Sequence, residues 1–137
     1  MYSVALTIDF CYGHRLLNYQ GKCSRLHGHN GRVEIEIRAD ALDHQSMVAD
    51  FTDIDASVRS WIDEHIDHRL ILHRDDPLVA VLEKHDEPVF VMDADPTAES
   101  IARLICDVAK ERGLQVYRVR LWETPAGVAS YTPPAAG

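Results

Sequence analysis

A chain of 137 residues suits one domain, and 46% hydrophobic with 26% charged residues supplies enough apolar material for a core and excludes disorder as the main state. Fourteen Lys+Arg against 22 Asp+Glu give a net charge of −8 with no basic cluster, which argues against a nucleic-acid partner. No apolar run reaches the ~18 residues of a membrane span, the start MYSVALTIDF lacks the basic-then-apolar pattern of a secretory leader, and three cysteines (Cys11, Cys23, Cys106) form no disulfide framework; a cytoplasmic protein is expected.

In chain order, Val4, Leu6, Ile8 and Phe10 alternate with Ala5, Thr7 and Asp9, which predicts a half-buried strand. Val33, Ile35 and Ile37 alternate with Arg32, Glu34, Glu36 and Arg38 and predict a second strand with one wet face. Asp50 and Thr52 offer helix caps before Ile54, Val58, Trp61, Ile62 and Ile66, which recur at helical spacing. Arg74-Asp75-Asp76-Pro77 reads as a turn, and the apolar run Leu78 to Leu82 shows no decisive period. Val89 to Met92 suits a short strand. Asp95-Pro96 or Thr97 opens a second helix, whose stripe is Ile101, Leu104, Ile105, Val108 and Ala109 and whose stop is Gly113. Val116 to Trp122 alternates again, Ala129 to Tyr131 suits a last short strand, and 133–137 reads as a loose tail. The pattern predicts a single α+β domain over 1–137. It is an antiparallel four-stranded sheet with two helices on one face, the other face meeting water or another subunit.

Chemistry concentrates in His14 and in Cys23-Ser24-Arg25-Leu26-His27-Gly28-His29. On a strand, His27 and His29 share a face, and His14, just after the first strand, can meet them. Three neutral imidazoles suit zinc, with a fourth position left open for catalysis. Cys23 could close such a site as a structural fourth ligand, or act as a thiolate that moves protons. Asp67-His68 pairs an acid with a ring it can orient, although solvated Asp-His pairs near helix ends are common and His65 and His73 compete for the role. Glu123, at the end of a strand, can accept two parallel N–H bonds from a planar heterocycle; a solvated strand-end acid is the plainer reading. A zinc hydrolase is disfavoured, since no His-Glu-x2-His pattern occurs.

These pieces together resemble the family of the 6-pyruvoyl- and 6-carboxy-tetrahydropterin synthases. The resemblance runs from Phe10 to Tyr131: Phe10-x3-His14, Cys23-x3-His27-Gly28-His29, Met47-Val48-x-Asp50-Phe51, Asp67-His68, Pro96-Thr97-x-Glu99 and Glu123-Thr124-Pro125. Gly13 departs from it, standing where the family usually has alanine. The resemblance implies the tunnelling fold, with sheets joined into a barrel by a homo-oligomer, typically a hexamer. It implies 7,8-dihydroneopterin triphosphate as substrate and zinc held by His14, His27 and His29. Cys23, Asp67 and His68 would transfer protons at a subunit boundary, and Glu123 would anchor the pterin. The short chain and the Cys23–His29 spacing resemble the carboxy-forming branch of queuosine biosynthesis. The pyruvoyl-forming branch is the alternative, and a non-catalytic zinc-binding module a further one. Lys22, Arg25, Arg69 and Arg74 are the basic residues nearest these motifs, each by default a solvated charge.

Overall fold

A computed structural model describes residues 1–135; of the expected tail, 136–137 lie outside the described residues. Strand β1 (Tyr2–His14) pairs along its whole length with β2 (His27–Ala39), from Tyr2↔Ala39 to His14↔His27. Helix α1 (Phe51–His65) leads to β3 (Arg69–His73), and α2 (Leu78–Lys84) leads to β4 (Val89–Met92). Helix α3 (Ala98–Glu111) precedes the hairpin β5 (Val116–Thr124) and β6 (Gly127–Tyr131). All belong to one sheet of order β4-β3-β1-β2-β5-β6.

Three features depart from the expected architecture. The sheet has six strands rather than four, and it is not wholly antiparallel, because β3 runs parallel to both β1 and β4. Parallel neighbours need crossover connections, and α1 and α2 lie in them. Among the described residues there are three α-helices rather than two, since Leu78 to Leu82 forms most of α2. That short helix buries none of its residues, which explains why the segment carries no apolar stripe. Strand β3 escapes a reading by alternation because Ile71 and Leu72, on opposite faces, are both fully buried.

The expected helices form for the expected reasons. The Asp50 carboxylate accepts the Thr52 amide and starts α1. At α3 the cap is Thr97 rather than Asp95, its Oγ1 accepting the Ser100 amide at 3.1 Å. Gly113, at φ +93°, takes the left-handed turn after that helix. Helices α1 and α3 cover one face of the sheet, where Ile8, Val33, Ile35, Val119 and Leu121 meet Ile54, Ile62, Ile101 and Ile105 in a dry core. The opposite face carries paired charges: Asp9–Arg32, Glu34–Arg120, and Glu36 between Arg38 and Arg118. Burial alone raises the Glu36 carboxyl, but its two arginines outweigh that and hold it below the ordinary value.

Candidate active site

In an antiparallel pair, residues directly opposite share a face. The register His14↔His27, Tyr12↔His29, Phe10↔Gly31 therefore carries the core face of β1 and β2 to one end of the sheet, where three histidines replace the aliphatic residues. Their ligand nitrogens lie within 4.8 Å of one another, so the group could hold a metal ion. The sequence-expected trio is thus brought together, with His14 on β1 itself rather than after it.

Two of the rings are already oriented. His14 Nδ1 lies 2.6 Å from the Pro96 carbonyl oxygen, and His27 Nδ1 lies 2.7 Å from that of Arg25. A carbonyl oxygen only accepts, so each Nδ1 carries the proton and each Nε2 presents a lone pair. The two Nε2 atoms face each other at 3.1 Å, and the His29 Nε2 is buried with no hydrogen-bond partner. Opposed lone pairs and an orphaned buried nitrogen are unfavourable unless a cation sits among them. A tetrahedral zinc, with bonds of about 2.0–2.1 Å, asks for this arrangement of imidazoles backed by carbonyls. The donor set fits the ion. His14 is buried, and that desolvation, ahead of the opposing effects of the Pro96 carbonyl and Glu123, lowers its pKa and favours the neutral, ligating form.

Glu123 joins the histidines. It continues the core-face alternation of Val119 and Leu121, and it lies where the β5–β6 register slips between Trp122 and Thr124. Its Oε2 lies 3.6 Å from His29 Nε2 and its Oε1 3.8 Å from His14 Nε2. Tyr12, which sequence reasoning passed over, donates its hydroxyl to Glu123 Oε1 at 3.0 Å. Burial, and next the Glu123 charge, push the Tyr12 phenol well above its ordinary value, so it stays a donor. Extending the alternation Ile8, Phe10 by two more steps reaches Tyr12 and His14, which was the available signal.

Asp67 and His68 stand apart from this group. They form the turn between α1 and β3, and their anchor is Cys11. The Cys11 amide donates to Asp67 Oδ1 at 2.9 Å, and the His68 amide donates to the Cys11 carbonyl at 2.7 Å. His68 takes the left-handed φ of 57°, and its Nδ1 lies 2.9 Å from Asp67 Oδ2. Burial raises the Asp67 carboxyl, but the Cys11 amide and the His68 ring together bring it below the ordinary value. The His68 side chain is 77% exposed and borders an open hollow with Asp9, Cys11, Arg32 and Trp122, on the face of the sheet opposite the histidines. A shallower groove runs from His68 past Leu70 towards Leu26 and His27.

Cys23 sits in a single 3-10 turn (Lys22–Ser24) of the loop between β1 and β2 and is not among the converging ligands. Its carbonyl accepts the Leu16 amide at 2.8 Å, and the Asp95 carboxylate holds the next two amides, Leu17 and Asn18. His65 and His73 have structural work instead: His65 stacks on Trp61 at 4.8 Å, and His73 Nδ1 accepts the Asp75 amide. Arg74 pairs with Asp93. At Gly13, an added Cβ would lie 2.6 Å from the Leu70 Cδ2, so the glycine accommodates β3.

The fold and the histidine cluster define the class, an α+β protein of the tunnelling type with a metal-ready site at one end of its sheet. A family model, 6-pyruvoyl tetrahydropterin synthase, matches residues 3–134, and the chain belongs to that family. A 6-carboxy-5,6,7,8-tetrahydropterin synthase from Rickettsia bellii is 37% identical over 125 residues, 86% of this chain and 91% of the relative. One of the same name from Haemophilus influenzae is 32% identical over 139 residues, 96% and 99% of the two. Among solved structures, an uncharacterized protein from Wolinella succinogenes superimposes with a TM-score of 0.84 at 27% identity, covering 97% and 98% of the two chains. The 6-pyruvoyl tetrahydropterin synthase of Caenorhabditis elegans, at 21% identity over 97% and 96%, shares the fold with a TM-score of 0.74. No helix among the described residues is long and apolar enough to cross a membrane.

Proposed function

We propose that this protein is a zinc-dependent 6-carboxy-tetrahydropterin synthase of queuosine biosynthesis. It would convert 7,8-dihydroneopterin triphosphate and water to 6-carboxy-5,6,7,8-tetrahydropterin, acetaldehyde and triphosphate, the water supplying the second carboxylate oxygen. The observation that carries the reading is the convergence of three imidazoles, one of them orphaned, beside a carboxylate, in a chain whose relatives bear that name. Zinc bound to His14, His27 and His29 would supply Lewis-acid polarisation of substrate oxygens.

The chain's own residues do the rest. Glu123 accepts the 2-amino and N3–H donors of the pterin, since an oxygen already taking one bond from Tyr12 retains a lone pair. Cys23, as thiolate, takes a proton from a side-chain carbon. His68, steadied by Asp67, returns one. Because His68 is exposed on the face opposite the histidines, the pair is suited to serve a neighbouring subunit's site. Strands β4 and β6 leave the two sheet edges unpaired within the chain, which suits closure into a barrel by a homohexamer. No group in this scheme requires an oxidising compartment, in keeping with a cytoplasmic enzyme.

The pyruvoyl-forming reaction is the second reading, favoured by the description of the matching family model. Mass spectrometry of the product separates the two. Zinc-loaded protein given dihydroneopterin triphosphate without oxygen or reductant is expected to yield the 6-carboxy mass with acetaldehyde; a 6-pyruvoyl mass without acetaldehyde selects the alternative. Cys23→Ala is expected to keep zinc and lose turnover. Loss of zinc instead would mean that Cys23 closes a structural site.

A further inference from the structure

Tyr12 is buried to 3% at the centre of the site. Its ring stacks on Phe10 at 5.2 Å, meets His14 edge-on at 5.3 Å and leans on His29 at 5.7 Å. Gly31 makes the space: a Cβ there would lie 2.9 Å from Tyr12 Cε1. Packing alone would be satisfied by phenylalanine. What the hydroxyl adds is the hydrogen bond to Glu123 Oε1. That carboxylate stands on a bulged residue, 28% exposed, with two ligand nitrogens 3.6 and 3.8 Å away. An ion held among the imidazoles would attract it strongly, and a short rotation would bring an oxygen onto the metal.

We infer that Tyr12 is a positioning residue whose hydroxyl tethers Glu123 at the rim of the site and so keeps the fourth coordination position open. The inference rests on the metal-binding reading of the three histidines. Without the tether, Glu123 closes the site and competes with any incoming ligand.

The test uses the full chain loaded with cobalt(II), whose visible bands report the ligand set, and azide as the incoming ligand. In the wild type, azide shifts the bands. In Tyr12→Phe, half-saturation is expected to need about tenfold more azide, the factor a hydrogen bond to a charged group commonly carries. The raised half-saturation is expected to return to the wild-type value when Glu123→Gln is added to Tyr12→Phe. Gly31→Ala, which crowds the ring, should move half-saturation in the same direction as Tyr12→Phe. An unchanged azide response in Tyr12→Phe, a change that persists without Glu123, or a wild-type spectrum blind to azide each overturns the inference while leaving the metal site standing. Failure of the folded chain to take up cobalt, read before azide is added, removes the metal reading and the inference with it.

Discussion

The two faces of the sheet, at the same end of β1, hold their chemistry in opposite ways. On the core face, His14 and His27 are each fixed by a backbone carbonyl, and Glu123 by a phenol. On the other, His68 is steadied by a neighbouring acid and otherwise stands in solvent. The first arrangement is preorganised inside a single chain. The second has a rigid base, the Cys11–Asp67 bond, and an unfinished top. A group that must receive an ion is best fixed beforehand, whereas one that must reach a substrate held elsewhere has to remain presentable at a surface.

The largest effect expected from breaking this contrast is on the core face. His29→Ala should lower zinc affinity by more than the roughly ten- to hundredfold typical of losing an outer partner, with turnover lost alongside. Metal analysis of the purified protein checks it. On the other face, the proposed function expects Asp67→Asn to lower turnover by a factor on the order of 10² while leaving metal content intact, because Asp67 supports His68 and is not among the converging ligands. Mixed oligomers of Cys23→Ala and His68→Ala chains should recover part of the activity if the two faces of different subunits meet; verified mixing without recovery would confine each site to one chain.

A further variant sharpens the comparison through stability. Asp76 is 2% exposed, accepts a 2.7 Å bond from Arg15 Nε and accepts the Leu78 amide just before α2. Asp76→Asn should cost about 2 kcal/mol in denaturant unfolding, less than a fully buried pair because Arg15 remains partly solvated. Its carboxyl is held below the ordinary value, first by the Arg15 hydrogen bond. A depressed acid stabilises the fold above its unfolded-state pKa of about 4 and loses that contribution as pH falls through the lower folded value. The variant should therefore show a shallower loss of stability below about pH 4. The smallest effect is on the start of α3: Thr97→Ala should lower stability by about 1 kcal/mol, the usual worth of a cap, with the melting temperature as readout.

The core-face site was legible in the sequence because its signal is strand periodicity carried past the aliphatic residues. His27-Gly28-His29 keeps the two-residue step of Val33 and Ile35, and one hairpin register aligns it with His14. Glu123 was legible as a strand-end acid, and the two-residue step from Val119 and Leu121 carries it onto the core face. Tyr12 resembled an ordinary strand aromatic, and its partner is distant in the chain. Strand β3 was hidden by burial on both faces, and Asp67-His68 was legible as a pair whereas the left-handed backbone at His68 was not, with no glycine or asparagine to announce it. Cys23 was legible only through its motif; the loop that carries it depends on Asp95, which sequence reasoning assigned to a helix start.

That last segment has a consequence for folding order. Asp95, Pro96 and Thr97 are consecutive, yet the first holds the Leu17–Asn18 loop, the second orients His14 and the third begins α3. The contacts they and Glu123 make bridge long stretches of chain: 78 residues for Leu17–Asp95, 82 for His14–Pro96 and 111 for Tyr12–Glu123. Closures of that span carry a larger chain-entropy cost than the contacts of the hairpin and helices. The cradle is therefore expected to assemble late and, with one tripeptide pinning strand, loop and helix together, to open as a unit with them, which hydrogen exchange of the Leu17 and Asn18 amides would read.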